Sequence, residues 1–279
     1  MGHASWTLSG FGDEIDPDPS VQIAVLQALG ASNLEVRSAW GVNVADFDDA
    51  QAQELARLLR ERAMTVSAVA SPIGKVSSDT PIDDELTRLR RVISHAHALE
   101  TTYIRIFSFY PPAGHSADSA RDDVLARLRA LATLAEREGV VLLHENEKGI
   151  YGDTPQRVLD LVESVGSSAL RLAWDNANFV QVGVIPYTDG WELLSSYVDY
   201  LQVKDARAAD GVVVPAGHGD GQLRETMIAL RDSGYRGYAS LEPHLASAHE
   251  LGGYSGPVAF GEAARAFRAL ADELGVTLS

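Results

Sequence analysis

The sequence predicts a (β/α)8 TIM barrel occupying residues 1–279 as one domain, and three observations predict it. Short β-branched runs alternate with amphipathic stretches along all 279 residues, which implies a parallel sheet. About eight such units, at roughly 35 residues each, suit a barrel. The turn after the first run reads Phe11-Gly12-Asp13-Glu14-Ile15-Asp16; it is acidic where a doubly wound sheet would carry a glycine-rich phosphate loop. The glycine-rich run Gly217-His218-Gly219-Asp220-Gly221 comes late, between the seventh and eighth strands.

The expected strands are Trp6–Gly12, Asn33–Arg37, Thr65–Ala70, Thr102–Phe109, Val140–Glu145, Leu170–Asp175, Val198–Lys204 and Gly237–Glu242. Among the stretches between them, Ala50–Arg62 places Leu55, Leu58 and Leu59 on one face. Ser119–Glu138 repeats Leu125, Leu128, Leu131 and Leu134. Thr154–Val165 opens with a threonine in the capping position and proline at the first helical position. No linker or low-complexity segment divides the chain.

Composition removes several classes of function. Hydrophobic residues are 46% and charged residues 22%, ordinary for a globular chain. No apolar run approaches the ~20 residues of a membrane span. Met1–Gly10 lacks the basic start and apolar stretch of a signal peptide, so the expected location is cytoplasmic. With no cysteine, disulfides, thiolate metal sites and a cysteine nucleophile are excluded. The formal net charge of −16 repels phosphate backbones and argues against nucleic acid as a partner.

Strand side chains alternate between two faces. In Leu34-Glu35-Val36-Arg37 the apolar pair suits the sheet–helix layer, so Glu35 and Arg37 point into the barrel. The same reasoning turns Arg105, Glu145, Asp175, Gln202, Lys204 and Glu242 inward, and His144 outward. Four strands therefore end in an inward polar residue: Glu145, Asp175, Gln202 or Lys204, and Glu242. Strand C-termini meet at the mouth where barrel active sites sit. Three carboxylates converging there need partners or a cation. A divalent metal is the simplest neutraliser, with Lys204 and Arg105 or Arg37 taking the remainder. Glu35 with Arg37 or Arg105 reads equally well as a barrel-lining salt bridge.

At these residues the chain resembles the sugar phosphate isomerase/epimerase superfamily, the xylose-isomerase-like TIM barrels. The resemblance runs through Gly30 and Leu34-Glu35-Val36-Arg37, Ser71-Pro72-Ile73-Gly74-Lys75 and Ile104-Arg105-Ile106-Phe107-Ser108-Phe109. It continues through Leu143-His144-Glu145-Asn146, Trp174-Asp175-Asn176-Ala177-Asn178, Val203-Lys204-Asp205-Ala206 and Ser240-Leu241-Glu242-Pro243-His244. It implies a divalent metal held by Glu145, Asp175, Gln202 and Glu242. Gln202 stands where the family usually has histidine. An amide oxygen is a weaker, less zinc-favouring ligand than imidazole, so Mn²⁺ or Mg²⁺ is expected ahead of Zn²⁺ or Co²⁺. Asn178 sits where many relatives have a histidine that touches substrate.

Of the remaining polar residues, His244 lies at the mouth and can orient a substrate hydroxyl. Lys75 can reach the mouth and suits a sugar oxygen or phosphate, or is a solvated loop lysine. His144 reads as a packed histidine, and His95 and His97 as solvated residues of a surface helix. The loop holding His218 is either a plain turn or a set of backbone N–H groups facing an anion. Trp40, Phe109 and Trp174 either line a sugar pocket or belong to the core.

The expected function is a metal-dependent isomerase or epimerase acting on a sugar or related polyol through proton transfer next to a carbonyl. Glu145 and Glu242 serve as the two bases, and Lys204 stabilises charge. Arg37, Lys75, Arg105, Asn178 and His244 contact substrate. The alternatives are a lyase or dehydratase acting on a keto-inositol or keto-sugar, and a non-catalytic sugar-binding barrel. An endonuclease is excluded by the net charge and the lack of histidines at strand ends. Homo-oligomerisation is left open.

Overall fold

The computed structural model describes residues 4–245 and 255–279. Eight parallel strands wrap into a barrel: β1 (Ala4–Gly10), β2 (Asn33–Val36), β3 (Thr65–Ala70), β4 (Tyr103–Ile106), β5 (Val141–Glu145), β6 (Leu170–Asp175), β7 (Val198–Val203) and β8 (Tyr238–Leu241). Each of β2 to β7 pairs with the next, and β8 returns to β1. Between β1 and β2 the wall closes through a single parallel bridge, Phe11 to Glu35. A ninth strand, β9 (Val276–Leu278), pairs in parallel with the start of β1; the sequence reading did not include it.

The helices are α1 (Pro19–Ala28), α2 (Asp49–Glu61), α3 (Ile82–Ala98), α4 (Arg121–Glu138), α5 (Pro155–Val165), α6 (Asn176–Val180), α7 (Pro186–Leu194), α8 (Leu223–Asp232) and α9 (Gly256–Glu273). Among the described residues none is long and apolar enough to cross a membrane. Their starts follow local chemistry. At α2, the Asp48 side chain accepts from Gln51 N while Gln51 returns a bond to Asp48 N, satisfying two end donors reciprocally. α5 begins at Pro155 as the sequence suggests, but the Thr154 side chain makes no cap hydrogen bond. α4 stops at Gly139, which adopts the left-handed conformation that favours glycine.

Outward-facing branched residues of the strands, such as Leu34, Ile104, Ile106, Leu142 and Leu172, are buried against Leu55, Leu89, Leu128 and Leu161 of the helices. Fully burying each such side chain is worth about 1.5–3 kcal/mol, so this layer holds the polar inward face in place. β4 ends earlier than expected. Phe107 N donates to Ile73 O (2.8 Å) and Phe109 N to Gly74 O (2.9 Å), so the chain leaves the barrel wall to pair with the loop after β3. Phe109 takes up a positive φ of 64° on the way.

Candidate active site

Strand register decides which side chains meet. Asp175, the last residue of β6, lies opposite Gln202 of β7, and Gln202 lies opposite Ser240 of β8. Glu145 closes β5, and Lys204 and Glu242 directly follow β7 and β8. One oxygen from each of Glu145, Asp175 and Glu242 falls within 4.8 Å of the others. All three carboxylates are buried.

Each is held by named partners. Asn178 donates its amide to Glu145 Oε1 (2.9 Å) and to Asn146 O (2.9 Å). Arg105 pairs with Glu145 Oε2 at 3.1 Å. Asp175 Oδ1 accepts from Asn178 N (2.9 Å). Asn146 locks the neighbouring backbone, accepting from Asp175 N (3.0 Å) and donating to Asp175 O (2.8 Å). Lys204 bridges Asp175 Oδ2 (2.8 Å) and Glu242 Oε2 (3.0 Å). Arg37 reaches Glu242 Oε1 (2.8 Å), Asp13 (2.8 Å) and Glu14 (3.3 Å). His244 Nε2 stands 2.9 Å from Glu14 and 3.3 Å from Glu242.

Proton affinities follow from this crowding. Burial, only partly offset by Lys204 and reinforced by Glu145 and Glu242, lifts Asp175 to about 7. Glu242 is also penalised by burial, but Lys204, His244 and Arg37 overcome that and hold it well below the usual carboxylate range. Burial opposes the charge on His244, yet Glu242 and Glu14 raise it to about 9. Lys204 sits well above a normal lysine: burial works against it, and Asp175 and Glu242 outweigh burial.

The donor set fits a divalent metal. The carboxylates Asp13, Glu14, Glu145, Asp175 and Glu242 outnumber Arg37, Arg105, Lys204 and a protonated His244 by one, and the rise of Asp175, due first to burial, is increased by the neighbouring Glu145 and Glu242. The Gln202 amide head lies 3.3 and 3.2 Å from Glu145 Oε1 and Oε2. Without a cation its NH₂ must face the carboxylate. A half-turn of the amide would turn its oxygen to that side instead.

Above these groups lies a cavity of about 230 Å³, just below the ~300–1,000 Å³ of drug-sized sites and suited to a small polar molecule. Of the candidates named from the sequence, Arg37, Lys75, Arg105, Glu145, Lys204, Glu242 and His244 line it. So do Asn43, Ser71, Pro72, Phe107 and Glu147, which the sequence reading missed. Glu147 follows β5 in a loop, where no periodicity reports direction. Phe107 was assigned to a strand interior.

Several expectations need correction. Asn178 was expected to touch substrate; its amide is committed to Glu145 and Asn146, it is buried, and it does not line the cavity. Glu35 forms no ion pair with Arg37 or Arg105 among the described contacts. It accepts from Tyr200 (2.8 Å), and burial raises it to about 7. His95 is buried, with Nδ1 3.0 Å from Val44 O, because the turn after β2 folds over α3; His97 is exposed as expected. The glycine-rich loop does turn backbone N–H groups to an anion, but the anion is internal. Gly217, Gly219 and Gly221 donate to the Asp205 carboxylate at 2.9–3.0 Å. A Cβ on Gly219 would strike that carboxylate. Phe109 and Trp174 are core and Trp40 is partly exposed; none lines the cavity. His144 packs outward as expected, and burial lowers it to about 3.

Comparison with known proteins agrees with this fold. The chain is 29% identical over 238 residues to 2-epi-5-epi-valiolone 7-phosphate 2-epimerase of an Actinoplanes species, covering 84% of this chain and 82% of the relative. It superposes on AsbF of Bacillus anthracis, described as a probable 3-DHS dehydratase, with a TM-score of 0.74 at 15% identity, covering 95% and 98% of the two chains. It likewise superposes on a barrel from Mycobacterium smegmatis in complex with magnesium, with a TM-score of 0.70 at 17% identity, covering 97% and 96%. The model of the xylose isomerase-like TIM barrel family matches residues 23–270. The chain belongs to that family.

Proposed function

We propose that this protein is an isomerase or epimerase of a polyhydroxylated ketone, a sugar or cyclic polyol, that moves a proton next to the carbonyl. The observation that carries this reading is the buried meeting of Glu145 and Glu242, from β5 and β8, with Asp175 and Lys204 of the two intervening strands between them. The relative matched at 29% identity is named as an epimerase, which favours the same chemistry. The residues would act as one barrel domain.

Glu145, Asp175 and Glu242, with Gln202 as the fourth and weakest ligand, would hold a divalent metal. Such an ion polarises a carbonyl oxygen and lowers the cost of the enediolate. The chain's own groups do the rest. One glutamate takes the carbon-bound proton and the other returns it on the opposite face. Arg105 on Glu145 and Arg37 on Glu242 fix the two carboxylates in place. Lys204 and Arg105 are the fixed positive charges beside the developing oxyanion. Arg37, Lys75 and His244 orient substrate from the rim. Asn178 acts from behind by holding Glu145.

His244 supports a second reading on the same first step. Protonated near neutrality and facing the cavity, it is placed to donate a proton to a departing hydroxyl, which would make the protein a lyase.

The test is exchange of the substrate's carbon-bound proton with deuterated solvent at saturating Mn²⁺. Glu145→Gln and Glu242→Gln should each reduce exchange by ~10²-fold or more while circular dichroism stays native. Wild-type exchange rates in either variant would end the two-glutamate assignment. Product analysis by NMR separates a configurational change from loss of water.

A further inference from the structure

Lys75 is presented by a built ledge. Phe107 N donates to Ile73 O, Phe109 N to Gly74 O and Tyr110 N to Val76 O, at 2.8, 2.9 and 2.9 Å. Gly74 N is tied from below to the buried Glu85 carboxylate (2.7 Å). Gly74 has φ +80°, and a Cβ there would collide with the Phe107 carbonyl, so only glycine lets the two segments lie this close. The Lys75 ammonium rests 4.3 Å from the centroid of the Phe107 ring. This backbone is pinned on both sides of Lys75, which is not how a freely solvated loop lysine is held.

Lys75 is also the most accessible cation of the mouth. Its side chain is 36% exposed, against 14% for Arg37 and 5% for each of Arg105 and Lys204. The other three lie against buried carboxylates of the reaction centre, whereas Lys75 meets Glu147 at 2.9 Å. The pair is half-buried, with 36% of the Lys75 side chain and 15% of the Glu147 side chain exposed, and Glu147 keeps a second bond from Lys148 N (2.9 Å) when Lys75 is taken from it. Asn43 lines the same cavity. Its side-chain oxygen accepts from Ala45 N, which leaves its NH₂ as a donor. A chain of net charge −16 repels anions over most of its surface, so an anionic substrate group needs a fixed local cation.

We propose that Lys75, with Asn43, forms an anion subsite that takes the phosphate group of a phosphorylated substrate, and that Glu147 is the internal anion this phosphate displaces. The proposal rests on the proposed reading for what the rest of the substrate is, but its test does not depend on turnover. A phosphate carries close to two charges and three acceptor oxygens, so it outcompetes a single carboxylate for a point-charge ammonium.

The experiment is calorimetric titration of the full-length chain, with and without Mn²⁺, using inorganic phosphate and sn-glycerol 3-phosphate as probes. Wild type should bind both, the ester at least as tightly as the free ion. Lys75→Met should weaken both at least tenfold, and Glu147→Gln should tighten them several-fold, in either metal state. Thermal melts check that each variant is folded. Equal affinities in wild type and Lys75→Met, weaker binding in Glu147→Gln, or no binding by wild type at 20 mM would each overturn the subsite. Phosphate binding without the ester would mean a free-phosphate site and overturn the substrate assignment. Lys75-dependent binding in a protein that exchanges no substrate proton would instead keep the subsite and discard the epimerase reading.

Discussion

The mouth of the barrel and its floor are made by the same alternation of side chains, yet they are opposite environments. At the floor, Leu143, Ala68 and Ala173 pack with Tyr200, and Tyr103 and Tyr238 close over them. The rings of Tyr103 and Tyr200 meet edge-on at 6.2 Å, and those of Tyr200 and Tyr238 lie 5.6 Å apart. A polar network crosses this layer. Tyr200 donates to Glu35 (2.8 Å) and shares a bond with Ser67 (2.8 Å), which in turn bonds Ser9 (2.6 Å). At the mouth, by contrast, charge is paired with charge around Glu242 and Lys204. The floor excludes water with apolar volume and needs no cation. The mouth holds more negative charge than its own cations cancel. The lesson is that the strand layer near the floor serves stability, while the strand ends spend stability to concentrate charge.

This contrast can be broken or sharpened by substitution. The largest effect should come from Lys204→Met, which strips Asp175 and Glu242 of their shared ammonium. Breaking a buried pair typically costs about 3–5 kcal/mol, so urea midpoints should drop sharply without divalent metal and recover in part with Mn²⁺. A loss under 1 kcal/mol would show that the mouth is not charge-strained. Tyr200→Phe at the floor should cost about 1–3 kcal/mol, because Glu35 and Ser67 lose a buried partner, with proton exchange kept within a few-fold. If exchange instead falls as far as in the glutamate variants, floor and mouth are not separable.

Gln202→His should tighten metal binding by about tenfold or more and move preference toward Zn²⁺, since imidazole is the softer ligand. Competition titrations with both ions check this, and unchanged affinities would mean that Gln202 does not ligate. The last effect, absent at neutral pH and spread over several pH units below it, concerns His144, on the outer face of the strand that carries Glu145. Burial lowers it to about 3 from an ordinary 6.5. The folded state therefore favours the neutral ring. Its contribution is fully present above pH 6.5 and is lost as pH falls from 6.5 toward 3, by at most ~1.4 kcal/mol per pH unit. His144→Leu should flatten stability against pH over that window; an unchanged slope would mean the ring is protonated while folded.

The legible parts of the molecule are those governed by period. Alternation in β2 and in β4 to β8 placed Arg37, Arg105, Glu145, Asp175, Lys204 and Glu242 on the inner face, because the adjacent leucines, isoleucines and valines must bury outward. Illegible were the residues outside any period. Glu147 lies in a loop, Asn43 in a two-residue strand too short to show any alternation, and β9 is three residues long at the end of the described chain.

By itself, then, the sequence determined the barrel, the inward face of its strands and the strand-end carboxylates, because a period of two and the burial of branched side chains leave one arrangement. Only the tertiary structure decided how those groups are spent. It gave Asn178 to Glu145, Tyr200 to Glu35, the glycine-rich loop to Asp205 and a rigid ledge to Lys75. Each choice depends on distances between residues remote in the chain, set by strand register and loop closure, and no local pattern encodes those distances.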